Sequence, residues 1–280
     1  MAGAEFVDGW FVAGVLGEGA YGEVRLLVHG RSRAQVALKA VRGAAGAREA
    51  ALHAALRHPH VLRLLGTRTH APADVTYLFL EWARGGELFQ RIEPDAGMGE
   101  AEARRYWRQL LAAASYLHGR GVAHRDFKPE NLLLSADGRL LVADFGLATL
   151  FRAGGRERLL TRAAGTPPYA APEVAAAADA PYRAAPADLW SAAIVLVAML
   201  VGELPWERAS MEEARYAAWV SGGGGGGAGG GGVWRRVPAG ALALLRRALH
   251  AAPAQRYTLE QLVAHPWTKA GGELDTAGTR

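Results

Sequence analysis

The 280-residue chain has no cysteine. A disulfide framework and a thiolate metal site are therefore both excluded, and the absence fits a reducing compartment. It also lacks a long hydrophobic run. The longest, Ala192 to Val201, falls far short of the roughly 20 residues that cross a bilayer, so it predicts a buried helix and no membrane association. The first residues, MAGAEFVDGW, have neither a basic stretch nor an apolar core, so no signal peptide or other targeting segment is expected. Nor is there a basic run interleaved with aromatics. The formal net charge of +5 is spread along the chain, and direct nucleic-acid binding is not expected. What is present is ordinary for a folded globular chain: 50% hydrophobic and 21% charged residues. That length suits one two-lobed domain or two small ones.

The apolar pattern changes character along the chain. Residues 6–41 read as strands around a glycine-rich turn, and VTYLFLEW (Val75 to Trp82) is another β-rich run. Beyond it, AEARRYWRQLLAAASYLH places Ala103, Trp107, Leu110, Leu111, Ala114 and Leu117 on one helical face. Two capping boxes are predicted, Ser210 with Glu213 and Thr258 with Gln261. A β-rich N-terminal part thus precedes a helix-rich C-terminal part, with the change between Trp82 and Glu87. SGGGGGGAGGGG, Ser221 to Gly232, is expected to be a flexible surface loop and a tolerated insertion.

Four groups of residues carry the chemistry. GEGAYGEV (Gly17 to Val24) is a G-x-G-x-x-G-x-V pattern whose backbone N–H groups could face phosphates, although a plain glycine hairpin reads equally well from these residues alone. Neither the G-K-[ST] of a phosphate-binding loop nor the helix of a dinucleotide fold follows it. Lys39, in VALK, lies among apolar neighbours, where an unpaired ammonium is costly. It calls for anions, either phosphate oxygens or the carboxylate of Glu49, which shares an expected helix with Leu52 and Leu56. In HRDFKPEN, Asp126 can accept a proton and Lys128 can neutralise a transferring phosphoryl group. Asn131 and the Asp144 of DFG supply two oxygen ligands for Mg²⁺ on phosphates. GTPPYAAPE, ADLWSAAIVL and Arg256 follow in order.

In these motifs the chain resembles the eukaryotic protein kinases from about Phe6 to Trp267. LGEGAYGEVRL, RIEPDAGM, FRAGGRERLL and GELPW narrow the resemblance to the checkpoint kinase 1 family of serine/threonine kinases. The resemblance covers a catalytic domain, and that family's C-terminal regulatory region has no counterpart in these residues. It implies an α+β, bilobal fold, with an N-terminal lobe at about 6–80, a hinge at about 81–87 and a C-terminal lobe at about 88–267, followed by a tail at 268–280. It implies transfer of the ATP γ-phosphoryl group to protein serine or threonine in a DNA-damage or cell-cycle checkpoint, by a monomer of the nucleus and cytoplasm. Asp126, Lys128, Lys39 and Glu49 match catalytic positions. Leu16, Gly17, Gly19, Gly22, Val24, Ala37, Lys39, Leu80, Glu81, Ala83 and Leu133 match the nucleotide cleft, and Asn131 and Asp144 the metal ligands. Glu87 and Glu130 match positions that hold a substrate arginine three residues before the acceptor. Glu173 with Arg256 matches a structural ion pair, and Asp188 a brace for the catalytic-loop backbone.

The chain departs from the family pattern in four places. Nine residues separate Lys39 from Glu49, so the helix carrying Glu49 is expected to lack its first turns, with RGAAG bridging the gap. Ala193 stands where glycine is usual, Phe127 where a smaller aliphatic is common, and the glycine run replaces a charged, aromatic loop. The alternative function is a weak or inactive pseudokinase acting as a binding scaffold. Against it, Lys39, Asp126, Asn131 and Asp144 are all retained.

Overall fold

In the computed structural model, which describes residues 5–7, 9–19, 22–178, 180–222 and 232–271, β-branched and alternating stretches near the N-terminus form one antiparallel sheet. Its strands are β1 (Glu5–Val7), β2 (Trp10–Gly19), β3 (Gly22–His29), β4 (Gln35–Arg42), β5 (Leu64–His70) and β6 (Val75–Glu81), in the spatial order β1-β2-β3-β4-β6-β5. The hairpin of β2 and β3 pairs Gly17 with Val24 and Gly19 with Gly22. Ala20 and Tyr21 of the glycine-rich motif lie outside the described residues, as do 223–231 of the glycine run and 272–280 of the tail. The register of β4 against β6 sets Ala37 opposite Leu80 and Lys39 opposite Leu78.

One helix, α1 (Gly43–Ala54), packs on this sheet and starts at the residue after β4 ends. This corrects the expectation that RGAAG bridges to a truncated helix: Arg42 closes the strand, and Gly43 to Gly46 are already helical. The tight connection is possible because Gly43 takes φ +71°, a left-handed conformation unfavourable to other residues, and donates its N–H to the Asp74 carbonyl at 2.8 Å. Gly46 packs where a Cβ would stand 2.8 Å from the Val41 carbonyl oxygen. The buried face is Gly46, Glu49, Ala50 and His53. Glu49 therefore shares its face with His53 one turn on, while Leu52 is half-buried towards the C-terminal region and Leu56 falls beyond the helix end.

After the link β7 (Gly86–Glu87), the chain is mainly helical. The elements are α2 (Glu100–Gly119), α3 (Pro172–Ala175), α4 (Ala184–Val201), α5 (Ala214–Ser221), α6 (Val233–Arg236), α7 (Ala239–Ala248), α8 (Leu259–Ala264) and α9 (Pro266–Lys269). Between α2 and α3 run the short strands β8 (Val122–Ala123), β9 (Leu132–Leu134) and β10 (Leu140–Val142), which present the polar residues of HRDFKPEN and DFG. All six apolar positions of the predicted α2 face are buried, as expected.

Helix α4 is apolar and long enough, by length and composition, to cross a membrane, yet 89% of it is buried inside the protein. It is the core helix of the C-terminal region, and Ala193 is wholly enclosed in it. Arg256 clamps this core: it meets Glu173 through two bonds of 2.7 and 3.0 Å and lies over the Trp190 ring. The Thr258–Gln261 capping box is present. The Ser210–Glu213 box is not. Helix α5 begins only at Ala214, because Ser210 closes a turn through its carbonyl to the Glu213 N–H and the Glu213 carboxylate is engaged by Arg215.

Candidate active site

Lys39 is held by its strand with apolar neighbours above and below, and its ammonium is paired on both sides. Nζ donates to Glu49 Oε1 and to Asp144 Oδ1, each at 2.8 Å. Burial alone would lower the lysine pKa, but the two carboxylates outweigh it and the net shift is upward. Burial raises Glu49, with Lys39 only partly offsetting it. Burial also opposes the charge on Asp144, yet Lys39 and the Gly146 N–H hold that carboxyl below its ordinary value. The Lys39–Glu49 pair expected from the sequence is therefore formed despite the short distance along the chain. The contact from Lys39 to Asp144, 105 residues on, could not be read from spacing.

Asp144 takes φ +59°, which turns its carboxylate into the cleft while Phe145 is buried. The Phe145 ring packs against His53, 4.5 Å between centroids, and edge-on to His124 at 5.3 Å. His53 escaped the sequence reading. Its signal is its position one turn after Glu49. His53 Nε2 donates to the Leu62 carbonyl at 2.7 Å, and burial pushes its pKa down to about 4, so the ring is neutral.

The segment HRDFKPEN is built on a buried aspartate. Asp188 of α4 accepts the backbone N–H of His124 at 2.9 Å and that of Arg125 at 2.8 Å, and receives His118 Nε2 at 2.9 Å. Phe127 is fully buried and stacks on His124, so the larger ring at this position is accommodated. Arg125 donates to the Leu147 carbonyl at 2.7 Å.

The Asp126 carboxylate stands at the cleft floor. Oδ1 receives the Thr166 hydroxyl at 2.8 Å, Oδ2 receives Asn131 Nδ2 at 2.9 Å, and Lys128 Nζ lies 3.5 Å away. Lys128 also donates to Thr166 Oγ1 at 3.1 Å. Thr166 is thus a structural hydroxyl bridging the two charged residues. Gly165, before it, takes φ +109° and abuts the Arg125 carbonyl, where a Cβ would meet oxygen at 2.5 Å.

The apolar positions converge as well. Ala37, Leu80 and Ala83 belong to one buried cluster, against which Val24 and Leu133 pack from the two sides. Leu16 on β2 is more exposed than these, at 41%. The Glu81 side chain accepts the Arg63 N–H at 2.7 Å, which fixes the start of the link between the two regions. Gly17 and Gly19 lie at the end of β2 and Gly22 at the start of β3.

Glu87 is paired in register with Leu133, and Glu130 lies in the turn before Asn131. Glu87 makes no helix-capping bond, so its carboxylate is not spent on the turn that follows. Burial raises its pKa, and the neighbouring charge of Glu130 raises it further. The two carboxylates are therefore close enough to repel.

The chain that builds this cleft is matched along its sequence in known proteins. The protein kinase domain family matches residues 10–268. The chain is 46% identical to the serine/threonine-protein kinase grp of Drosophila melanogaster, over 94% of this chain and 51% of that protein. It is 40% identical to the serine/threonine-protein kinase chk-1 of Caenorhabditis elegans, over 96% of this chain and 54% of that protein. It is 44% identical to the serine/threonine-protein kinase CHK1 of Mycosarcoma maydis, over 71% of this chain and 29% of that protein. The chain spans about half the length of the first two. The chain belongs to the protein kinase domain family.

Proposed function

We propose that the chain is a serine/threonine protein kinase of the checkpoint type, which transfers the γ-phosphoryl group of ATP to protein hydroxyls. One observation carries this reading: Lys39 Nζ is held at 2.8 Å from both Glu49 and Asp144, in the same cleft as a braced Asp126. A scaffold that only binds has no use for a desolvated ammonium between two carboxylates, which is costly to assemble. The relatives named as serine/threonine kinases support the reading.

ATP is the substrate that fits between the glycine hairpin and the floor. The adenine lies between Val24 and Ala37 above and Leu133 below, with Leu16 at the entrance and Leu80 at the back. The backbones of Glu81 and Ala83 bond its edge, and the N–H groups between Gly17 and Gly22 cover the phosphates. Lys39 binds the α- and β-phosphates, and Glu49 keeps it aimed at them.

The donor set suits Mg²⁺, which prefers few protein oxygens plus phosphate. Asn131 uses its amide N–H on Asp126 and so keeps Oδ1 for the ion; Asp144 uses Oδ1 on Lys39 and keeps Oδ2. Among the described residues no cluster of three or more histidine or acidic side chains could bind a metal without the nucleotide. When bound, the ion neutralises charge on the phosphate oxygens.

Asp126 takes the proton from the attacking hydroxyl, positioned by the bonds it receives from Thr166 and Asn131. Lys128 stabilises the charge on the phosphoryl group in transfer. Lysine beside the base suits a short aliphatic hydroxyl, hence serine or threonine. Glu87 and Glu130 hold the guanidinium of an arginine three residues before the acceptor by charge-assisted bonds. The chain acts as a monomer, and its setting is the nucleus and cytoplasm.

Radiolabel transfer from ATP to a serine peptide, absent in Asp126→Ala, tests the activity, and phosphotyrosine as the main product would refute the acceptor class. A peptide pair differing by arginine or alanine at the third position before serine tests the specificity. The arginine peptide is expected to react 10- to 100-fold faster, from roughly 1.5–3 kcal/mol per charge-assisted contact, and Glu87→Gln should remove most of that difference.

A further inference from the structure

We propose that Thr161 is an autophosphorylation site, modified by a second copy of the chain. The inference rests on the arginine specificity just proposed and extends it to the protein's own surface. Among all the serines and threonines of the sequence, Thr161 alone has arginine three residues before it, Arg158 in RERLLTR. Both side chains are exposed. Arg158 is engaged by the Leu150 carbonyl and the Thr149 hydroxyl, surface bonds that water replaces at little cost.

The geometry excludes the site's own cleft as the place of reaction. Thr166 Oγ1 sits 2.8 Å from Asp126, and Gly165 abuts the Arg125 carbonyl, so residues 165 and 166 form the wall of the acceptor site. A residue five positions earlier cannot enter that site while the wall stands. Leu160 is in addition tied to Tyr182 by two backbone bonds of 2.8 and 2.9 Å. Releasing Leu160 lets the segment Arg158 to Thr161 extend outward into another molecule. Transfer is then slower than for a free peptide, because that release precedes it.

In the step, the Thr161 hydroxyl oxygen attacks the γ-phosphorus of ATP held by the second copy. The bond from the γ-phosphorus to the β–γ bridging oxygen breaks and its electron pair leaves with ADP. The hydroxyl proton passes to Asp126 of that copy and then to water. Arg125 is already held by the Leu147 carbonyl and, through its backbone N–H, by Asp188, so the catalytic segment is formed without a phosphate. The modification marks the loop and is not needed to assemble the site.

The test uses the full chain, treated with phosphatase and then incubated with ATP and magnesium, with occupancy of Thr161 read by mass spectrometry. Phosphate is expected at Thr161, at an initial rate per molecule proportional to protein concentration. An isotope-labelled Asp126→Asn copy should acquire it only when mixed with wild type. Arg158→Gln should slow Thr161 modification at least tenfold and Arg158→Lys less, with unchanged melting temperature. Peptide turnover of Arg158→Gln and Thr161→Ala should stay within twofold of wild type. An unmodified Thr161, with the arginine peptide still preferred, overturns this inference and leaves the specificity standing. Equal rates for the two peptides overturn the specificity itself. Labelling independent of concentration removes the second copy, and an Arg158→Gln rate equal to wild type removes the directing role of that arginine.

Discussion

Asp188 Oδ1 accepts the backbone N–H of Arg125 at 2.8 Å and thereby holds a non-glycine residue at φ +68°. A left-handed backbone at such a residue costs on the order of 1 kcal/mol or more and persists only where its surroundings impose it. Asp188→Ala strands two backbone donors and His118, a loss of about 3 kcal/mol. The melting temperature is expected to fall by roughly 6–12 °C. The turnover number should fall about a hundredfold, because Asp126, the base proposed above, is the next residue and its misplacement is costly. Thermal melts and steady-state kinetics check both, and unchanged turnover in a folded Asp188→Ala protein would show that the brace is not catalytically coupled.

Glu49→Gln separates catalysis from stability. Lys39 keeps Asp144 but loses a charge-assisted bond, so kcat/KM for ATP should fall by about one to two orders of magnitude. The melting temperature should move by less than about 2 °C, because the substitution also removes a buried charge with its desolvation cost. A large stability loss without a kinetic effect would contradict the assignment of Glu49 as the residue that aims Lys39.

His53 gives the protein a defined acid sensitivity. Its pKa is pushed from the ordinary 6.5 down to about 4, first by burial, with the charges of Lys39, Arg57 and His124 adding to the effect. The unfolded chain binds a proton below 6.5 that the folded chain refuses until about pH 4, so stability falls as the pH drops through this window and levels off below it. The loss from this one residue is about 3 kcal/mol. From urea titrations between pH 7 and 4, wild type should lose about 3 kcal/mol more stability than His53→Leu. Parallel curves would mean that His53 protonates freely in the folded state.

The ends of the glycine-rich stretch are fastened by a stack. Trp219 and Trp234 lie 4.0 Å apart at 29°, and both are buried. Trp234→Ala should cost about 3–5 kcal/mol. Deleting six residues between Gly223 and Gly230 should change stability by under about 1 kcal/mol, since loop closure depends only weakly on length. Differential scanning calorimetry of the two variants checks the contrast, and a deletion as harmful as the tryptophan loss would show that the run contributes contacts of its own.

The motifs that line the cleft were legible because each is local in the chain. The spacing from Asp126 to Asn131 and the motif at Asp144 are read along the chain, and the period of α2 marks its buried face. The failures share one cause. Ser210 and Glu213 have the right types at the right interval, but Arg215 takes the carboxylate and the turn closes first. Leu52 and Leu56 fit a helical face beside Glu49, yet the face that meets the site carries His53, because the sheet and Phe145 lie on that side.

The sequence by itself determined which groups the protein owns: an ammonium, several carboxylates, a side-chain amide and glycines where a side chain would collide. It also determined the local elements, since helix and strand periods depend on neighbours a few residues apart. Only the tertiary structure decided which charges meet. Lys39 finds Asp144 across 105 residues, and Asp188 finds Arg125 across 63. These pairs form because burying a charge or a backbone N–H without a partner is too costly, and the partner that satisfies it can lie anywhere in the chain that the packing brings near.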